Sequence, residues 1–247
     1  MIKLGLIGYP LSHSFSEKYF KNKFIQEEIQ GYQYSNYPIT DIKDLRKLIL
    51  DEPYLKGLNV TIPYKQQVIP FLADLDETAR QIGAVNTIYI SRDSQNISLR
   101  GFNTDVYGFQ TSLEPLLRPE HNAALILGTG GASKAVEFVL KSLGISYQFV
   151  SRKPASEQLH YSDLCLPVIK NHKLIINTTP LGTYPEVSAF PDIPYDLLGP
   201  GHILYDLVYN PAETEFLRLG SEKGVVTQNG LRMLELQAEA AWDIWTE

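Results

Sequence analysis

Ala123-Ala124-Leu125-Ile126-Leu127 runs directly into Gly128-Thr129-Gly130-Gly131-Ala132-Ser133, and the reading of that junction decides the fold. Five apolar residues without alternation suit a central strand of a parallel sheet covered on both faces. The glycines mark a tight turn, and residues 133–143 carry apolar positions at helical spacing until Gly144 stops them. Strand, glycine turn and helix in that order put the unpaired N–H groups of a helix start beside the turn, an anion site that fits a pyrophosphate. Glycine is needed there because a Cβ would hold the backbone away from the ligand. The pattern is G-x-G-G-A, with Ser133 where the usual dinucleotide fingerprint has its last glycine. Small Ala132 and Ala135 leave room for helix–strand packing. Nucleotide binding is the functional reading, and a plain strand-to-helix turn is the alternative.

Working outward, Tyr147-Gln148-Phe149-Val150 is the next strand and ends on Ser151-Arg152-Lys153. An NAD site would place a carboxylate at this point, about twenty residues past the loop, to bind the ribose hydroxyls. No carboxylate is there. Arg152 can stack on adenine and clasp a 2′-phosphate, Lys153 adds charge and Ser151 a hydroxyl, so NADP is the expected cofactor. Further strands are expected at 174–176 and 203–208, and an amphipathic helix at 231–245. Residues 154–168 are short for a full crossover helix, which predicts thin cover on that face of the sheet.

Upstream the same alternation continues. Strand patterns cover 3–8, 32–39, 58–62, 84–90 and 97–102. Helical patterns cover 16–29, with Phe20, Phe24, Ile25 and Ile29 on the inner face and Ser16 as N-cap, and 41–50, with Leu45, Leu48 and Ile49 inward. Two more are expected at 64–72 and at 105–117, the latter closed by Pro119. The class is therefore α/β, with parallel-rich sheets and helices on their faces.

A length of 247 residues suits two compact domains sharing a cleft. An apolar fraction of 44% with 20% charged residues is that of an ordinary globular chain. The net charge of −6 offers no cationic surface to nucleic acid or an anionic membrane. Cys165 is the only cysteine, which excludes an internal disulfide and a cysteine-built zinc site, and between Leu164 and Leu166 it reads as a small buried hydrophobe. The N-terminus opens directly on a strand, without a basic region and apolar run, and no stretch reaches membrane-spanning length, so a cytoplasmic location is expected.

Three polar segments in the first half meet strand ends. Ser12-His13-Ser14-Phe15-Ser16 offers hydroxyls at a helix start, as a carboxylate cradle or simply as an over-determined cap. Lys65, in Asn59-Val60-Thr61-Ile62-Pro63-Tyr64-Lys65, is by itself a surface lysine as readily as a functional one. Asp105, in Gly101-Phe102-Asn103-Thr104-Asp105, is by itself as readily a helix cap. Taken with Gly8-Tyr9-Pro10, Gly83-Ala84-Val85-Asn86-Thr87, the glycine loop, Asn177-Thr178-Thr179-Pro180-Leu181-Gly182, Tyr205-Asp206-Leu207-Val208-Tyr209-Asn210-Pro211 and Asn229-Gly230-Leu231 through Gln237, these segments resemble the shikimate dehydrogenase family from the first strand to the last helix.

The resemblance implies NADPH-dependent, reversible reduction of 3-dehydroshikimate to shikimate, on the chorismate route to aromatic amino acids. It implies Lys65 and Asp105 as the catalytic pair. It implies Ser14 and Ser16 for the substrate carboxylate, Thr61, Asn86, Asp105 and Gln237 for ring hydroxyls, and Tyr209 near the carboxylate. For NADP it implies Gly128, Gly130, Gly131 and Ala132, then Ser151, Arg152 and Lys153, with Thr178, Val208, Gly230 and Met233, and no metal. The implied architecture is a substrate domain of residues 1–103, with a mostly parallel sheet completed by the C-terminal helix 230–247, and a Rossmann-type NADP domain of 104–229, with the cleft between them. The expected assembly is a monomer or homodimer. Glu17 stands where the family usually has proline, and Ser151-Arg152 where asparagine-arginine is more usual. An NAD-linked quinate/shikimate dehydrogenase and an idle dinucleotide or shikimate sensor are the rival readings; serine at both 14 and 16 counts against the first, intact Lys65 and Asp105 against the second.

Overall fold

The computed structural model describes residues 1–11, 15–93 and 96–247. Contacts within the chain group it into two units, residues 1–107 with 237–247, and residues 108–236. In chain order the elements are β1 (Ile2–Gly8), α1 (Phe15–Gln26), β2 (Tyr32–Pro38), α2 (Leu45–Asp51), β3 (Leu55–Val60), α3 (Tyr64–Gln67), β4 (Asp74–Leu75), α4 (Glu77–Ile82), β5 (Thr87–Arg92), β6 (Ile97–Phe102) and α5 (Thr104–Leu113). Then follow β7 (Ala123–Leu127), α6 (Gly131–Ser142), β8 (Ser146–Ser151), β9 (Leu159–His160), α7 (Leu166–Asn171), β10 (Leu174–Asn177), β11 (Ile203–Asp206), α8 (Glu215–Ser221), β12 (Val226–Gln228) and α9 (Leu231–Thr246).

In the first unit the described residues form a six-stranded sheet in the order β2-β1-β3-β5-β6-β4. Its pairs are parallel except those made by β5, which runs antiparallel to both β3 and β6. Period-two alternation along β1 sends Leu4 and Leu6 to one face and Ile7 to the other. The first face packs Phe20 of α1 and Ala238, Ala241 and Trp245 of α9; the second packs Leu45 and Ile49 of α2, Val68, and Ala79 of α4. Trp245 is fully buried, its Nε1 donates to the Ile88 carbonyl at 3.0 Å, and its ring lies where a Cβ on Gly57 would be. Residues from the far end of the chain thus complete the core of the N-terminal sheet.

The second unit's described residues form an all-parallel six-stranded sheet, β12-β11-β10-β7-β8-β9. That is the doubly wound order, with its reversal between β7 and β10, so the loops leaving these two strands diverge and open a crevice at their carboxyl ends. Leu125, Leu127, Ile175 and Leu204 pack against Ile169, Phe216 and Leu217 on one face. Tyr205 points to the other, edge-on to Phe109 and hydrogen-bonded to Ser112 Oγ at 2.6 Å. The crossover from β8 to β10 carries only the two-residue β9, a 3₁₀ turn and the six-residue α7.

Several local expectations are corrected. Helix α1 begins at Phe15, so Ser16 lies in its first turn instead of capping it. Ile25 is 76% exposed, and Lys23 takes the inward place three residues after Phe20. Its ammonium reaches Glu239 at 2.7 Å and Glu27 at 2.8 Å and lies over the Trp242 ring, partners supplied largely by α9. The helix expected over 105–117 ends at Leu113, and Pro115 sits in a following 3₁₀ turn. The pattern at 64–72 likewise breaks into α3 and a 3₁₀ turn around Pro70. Cys165 is exposed, because its strand-like backbone at the start of α7 buries Leu164 and leaves Cys165 and Leu166 outward.

Candidate functional site

In the first unit, Lys65 Nζ donates to Asp105 Oδ2 at 2.6 Å across forty positions of sequence. The loop 84–86 sets that spacing. Gly83, at φ +68, ends α4 in the left-handed turn that launches the loop. Val85 N donates to the Lys65 carbonyl at 2.7 Å, while next door the Tyr64 hydroxyl is buried and pinned to Ile39 O at 2.7 Å. On the other side Asn103 Nδ2 donates to Ala84 O at 3.0 Å, and Asn103 Oδ1 accepts from Val106 N at 3.3 Å, capping α5. Thr104 N donates to Asn86 Oδ1 at 2.7 Å. One three-residue segment therefore splints the lysine's backbone to the aspartate's. The two side chains keep 35% and 18% of their surface, so they are reachable by a ligand without being freely solvated.

Asn86 is itself 3% exposed. Its Oδ1 accepts from Thr104 N, Thr104 Oγ1 and Thr87 Oγ1, and its Nδ2 donates to Thr104 Oγ1 at 2.9 Å and more weakly to Gln237 Oε1 at 3.5 Å. Asn59 continues this network through Thr87 and Tyr34. The sequence reading assigned Asn86 to substrate; the structure also gives it the job of fixing the backbone on which Asp105 stands. Thr61 is half-buried between β3 and α3, with its N–H on Ile7 O at 3.0 Å. Ser16 is half-buried in α1, and Ser14 lies outside the described residues. Tyr209 belongs to the second unit, half-buried, with its phenol pushed upward by that burial.

In the second unit the crevice between the loops after β7 and β10 is a cavity of about 470 Å³. It is lined by Gly128, Thr129 and Gly130, by Val150–Lys153 and Tyr161, and by Thr178–Pro180. Gly128 has φ +99, and a Cβ on it would come within 2.8 Å of Thr179 Cγ2. Gly130 caps α6 in extended conformation, and Cβ atoms on Gly130 or Gly131 would point into open space. Here glycine keeps an approach clear for something other than protein, and twelve residues of helix stand behind it. Ser133 suits the place of the missing glycine because it is 3% exposed and turns its hydroxyl back on Gly130 O at 2.7 Å.

Opposite, Thr178 Oγ1 holds Leu127 O at 2.7 Å and so ties the β10 loop to the end of β7. Asn177 Oδ1 accepts from Thr179 N at 3.0 Å and Thr179 Oγ1 at 2.6 Å, while its Nδ2 donates to the buried Asp206 carboxylate at 2.9 Å. Asp206 also takes Val208 N and Thr214 Oγ1, so one carboxylate organises the loops leaving both β10 and β11. At the rim Arg152 and Lys153 are exposed, and Lys153 N donates to Ser151 Oγ at 3.2 Å, which leaves the serine's own O–H available.

Of the residues singled out for a nucleotide, Gly128, Gly130, Ser151, Arg152, Lys153 and Thr178 meet around this cavity. Gly131 and Ala132 sit behind them in the first turn of α6. Val208, Gly230 and Met233 lie outside the lining. Gly230 N donates to Val208 O at 3.1 Å, and a Cβ on Gly230 would collide with the Leu207 carbonyl, so packing alone requires that glycine. Tyr161 and Thr179 were missed. Thr179 could have been read from its place beside Thr178; Tyr161 gives no local signal, since it follows a two-residue strand. Among the described residues no group of three or more His, Cys, Asp or Glu side chains converges as a metal site, and no helix is long and apolar enough to cross a membrane.

The chain is similar to known proteins along nearly its whole length. Residues 6–88 match the family model described as the shikimate dehydrogenase substrate binding domain. The shikimate dehydrogenase (NADP(+)) of Clostridium beijerinckii is 40% identical, over 98% of this chain and 91% of that one. Among solved structures, shikimate 5-dehydrogenase of Thermus thermophilus in complex with NADP(H) and shikimate superposes with a TM-score of 0.84 at 30% identity, covering 100% of this chain and 94% of that one. Quinate dehydrogenase of Corynebacterium glutamicum in complex with NAD gives 0.86 at 28% identity, over 99% and 93%.

Proposed function

The chain belongs to the shikimate dehydrogenase family, and we propose that it reduces 3-dehydroshikimate reversibly to shikimate with NADPH, Lys65 and Asp105 acting as its catalytic pair. The observation that carries the assignment of the pair is the 2.6 Å contact of Lys65 Nζ with Asp105 Oδ2 on a splinted backbone. NADPH, when bound, supplies the hydride. The residues that would hold it are the glycine loop and α6 start for the pyrophosphate, Ser151, Arg152 and Lys153 for the 2′-phosphate, and Thr178 beside them, with Gly131, Ala132, Val208, Gly230 and Met233 as further contacts.

Reduction of a ketone leaves negative charge on its oxygen, which must be stabilised and protonated as it forms. A lysine ammonium has three N–H donors. One is committed to Asp105, which orients it; the others are free to reach a substrate oxygen and deliver a proton. The Asp105 carboxylate has acceptor capacity left for a neighbouring hydroxyl, so it positions substrate as well as lysine. Ser14, Ser16, Thr61, Asn86, Gln237 and Tyr209 are assigned to the rest of the substrate, with residues 1–103 and 230–247 as its domain and 104–229 as the dinucleotide's. The place of action is the cytoplasm, and the assembly a monomer or homodimer, which sedimentation will distinguish.

The fold is shared with a quinate dehydrogenase, so fold alone does not choose the substrate. Basic Arg152 and Lys153 without a carboxylate at the end of β8 favour NADP over NAD. The test is turnover of 3-dehydroshikimate with NADPH and NADH, and of shikimate and quinate with NADP and NAD, for wild type and Lys65→Ala. We expect 3-dehydroshikimate with NADPH to dominate, and Lys65→Ala to lower kcat by a factor on the order of 100 or more with little change in KM. Near-wild-type turnover of that variant would remove Lys65 from its role. Preference for quinate with NAD would replace the substrate reading.

A further inference from the structure

The register of the edge strands brings Tyr161 to the basic rim of the nucleotide cavity. Strands β8 and β9 pair in parallel, with Val150 opposite Leu159 and Ser151 opposite His160. Arg152 and Tyr161 are each the next residue, one step beyond the last pair, on neighbouring chains whose usual spacing is about 4.8 Å. Both line the cavity, together with Ser151 and Lys153. The shortened crossover makes this arrangement, because the chain drops straight from β9 into a 3₁₀ turn, Tyr161–Asp163, where a longer crossover would carry it away from the sheet. The turn's own N-cap needs are met by His160 and Asp163, so Tyr161 is not used in capping it.

Tyr161 is half-buried, and among the described residues its hydroxyl has no hydrogen-bond partner. A half-buried phenol normally satisfies its O–H. Arg152 and Lys153 are equally without side-chain partners among the described residues. Burial raises the Tyr161 phenol and the Arg152 charge opposes that rise, which places the oxygen itself within the guanidinium's field. An oxygen with a free proton, two free cations and the free Ser151 hydroxyl around one rim form a set of donors without an acceptor. A dianionic phosphate monoester matches it.

We propose that the Tyr161 hydroxyl is a fourth donor to the 2′-phosphate of NADP, beside Ser151, Arg152 and Lys153, and so a determinant of the preference for NADP over NAD. The inference rests on the reading of this cavity as the dinucleotide site. It assigns Tyr161 a specificity role and no part in the chemistry.

The test is fluorescence titration of wild type, Tyr161→Phe, Tyr161→Leu and Arg152→Gln with NADPH and with NADH, alongside competition by 2′,5′-ADP and 5′-AMP. Because the hydroxyl has no protein partner to lose, Tyr161→Phe is expected to keep the wild-type Tm. Its affinity for NADPH and 2′,5′-ADP should fall about tenfold, as for loss of one hydrogen bond to a charged group. Its affinity for NADH and 5′-AMP should stay within about twofold, and kcat with saturating NADPH should hold while KM rises. Tyr161→Leu should show the same selective loss. If Tyr161→Phe binds NADPH as wild type does while Arg152→Gln loses it, the hydroxyl has no such role and the cavity reading stands. Equal loss of NADPH and NADH in Tyr161→Phe also overturns the proposal. If neither Tyr161→Phe nor Arg152→Gln alters NADPH binding, the cavity reading fails with it.

Discussion

Asp206 offers a measurement of what burial alone does to a carboxylate in this protein. It is 0% exposed at the end of β11 and has no cation among its partners, which are Asn177 Nδ2, Val208 N and Thr214 Oγ1. Desolvation therefore dominates, the three hydrogen bonds only partly oppose it, and the carboxyl is pushed from 3.8 up to about 6. A gap of about 2 pKa units corresponds to about 3 kcal/mol. The folded state binds this proton more tightly than the unfolded chain does. The resulting stabilisation is complete below about pH 4 and lost as the pH rises through about 6. Asp206→Asn removes the titration at nearly constant shape. The amide oxygen keeps the Asn177 and Val208 bonds, and its NH₂ meets Thr214 Oγ1, which can accept instead of donating. Urea unfolding of both proteins at intervals from about pH 4 to about pH 7 should show the variant gaining on wild type by about 2–3 kcal/mol across that range. All other groups titrate in both proteins and cancel in the difference. A difference that stays flat with pH would refute the reasoning, since Asp206 would then titrate in the ordinary carboxylate range.

Gly128→Ala tests the glycine loop. At φ +99, with Thr179 Cγ2 2.8 Å from the new methyl, it should cost about 1–2 kcal/mol and weaken NADPH binding, read by Tm and titration; unchanged NADPH affinity would detach the loop from the cofactor. Trp245→Ala empties a fully buried site and removes the indole's hydrogen bond to the Ile88 carbonyl, so urea unfolding should show a loss of about 3–5 kcal/mol; a loss under about 1 kcal/mol would mean that α9 does not complete that core.

The features legible in the sequence were those written in consecutive residues. The run 123–133 carries its own strand, turn and helix start, and β7 and α6 follow it closely. Ser151-Arg152-Lys153 declared its charge in three letters, and the structure puts all three on the cavity. What the sequence hid depends on partners far along the chain. Lys23 faces inward because Glu239 and Trp242 wait for it on α9, while the more apolar Ile25 lies off the buried stripe that runs through Phe20. Proline punctuated more finely than periodicity suggested, dividing the patterns at 64–72 and 105–117 into a helix and a 3₁₀ turn. Lys65 and Asp105 were legible only through the resemblance, since neither neighbourhood reveals that residues 84–86 hold the two backbones together. Tyr161 was invisible because its meaning comes from strand register.

The placement of Trp245 also sets an order of assembly during synthesis. Residues 108–236 are contiguous and can close their own sheet as soon as they are made. The first unit is interrupted: Leu4, Phe20 and Tyr34 are translated first, yet their apolar surface stays uncovered until residues 237–247 arrive. The earliest-made half is thus the last to be finished, and a nascent chain stalled before 237 presents that bare sheet face, the form of this protein most in need of a chaperone.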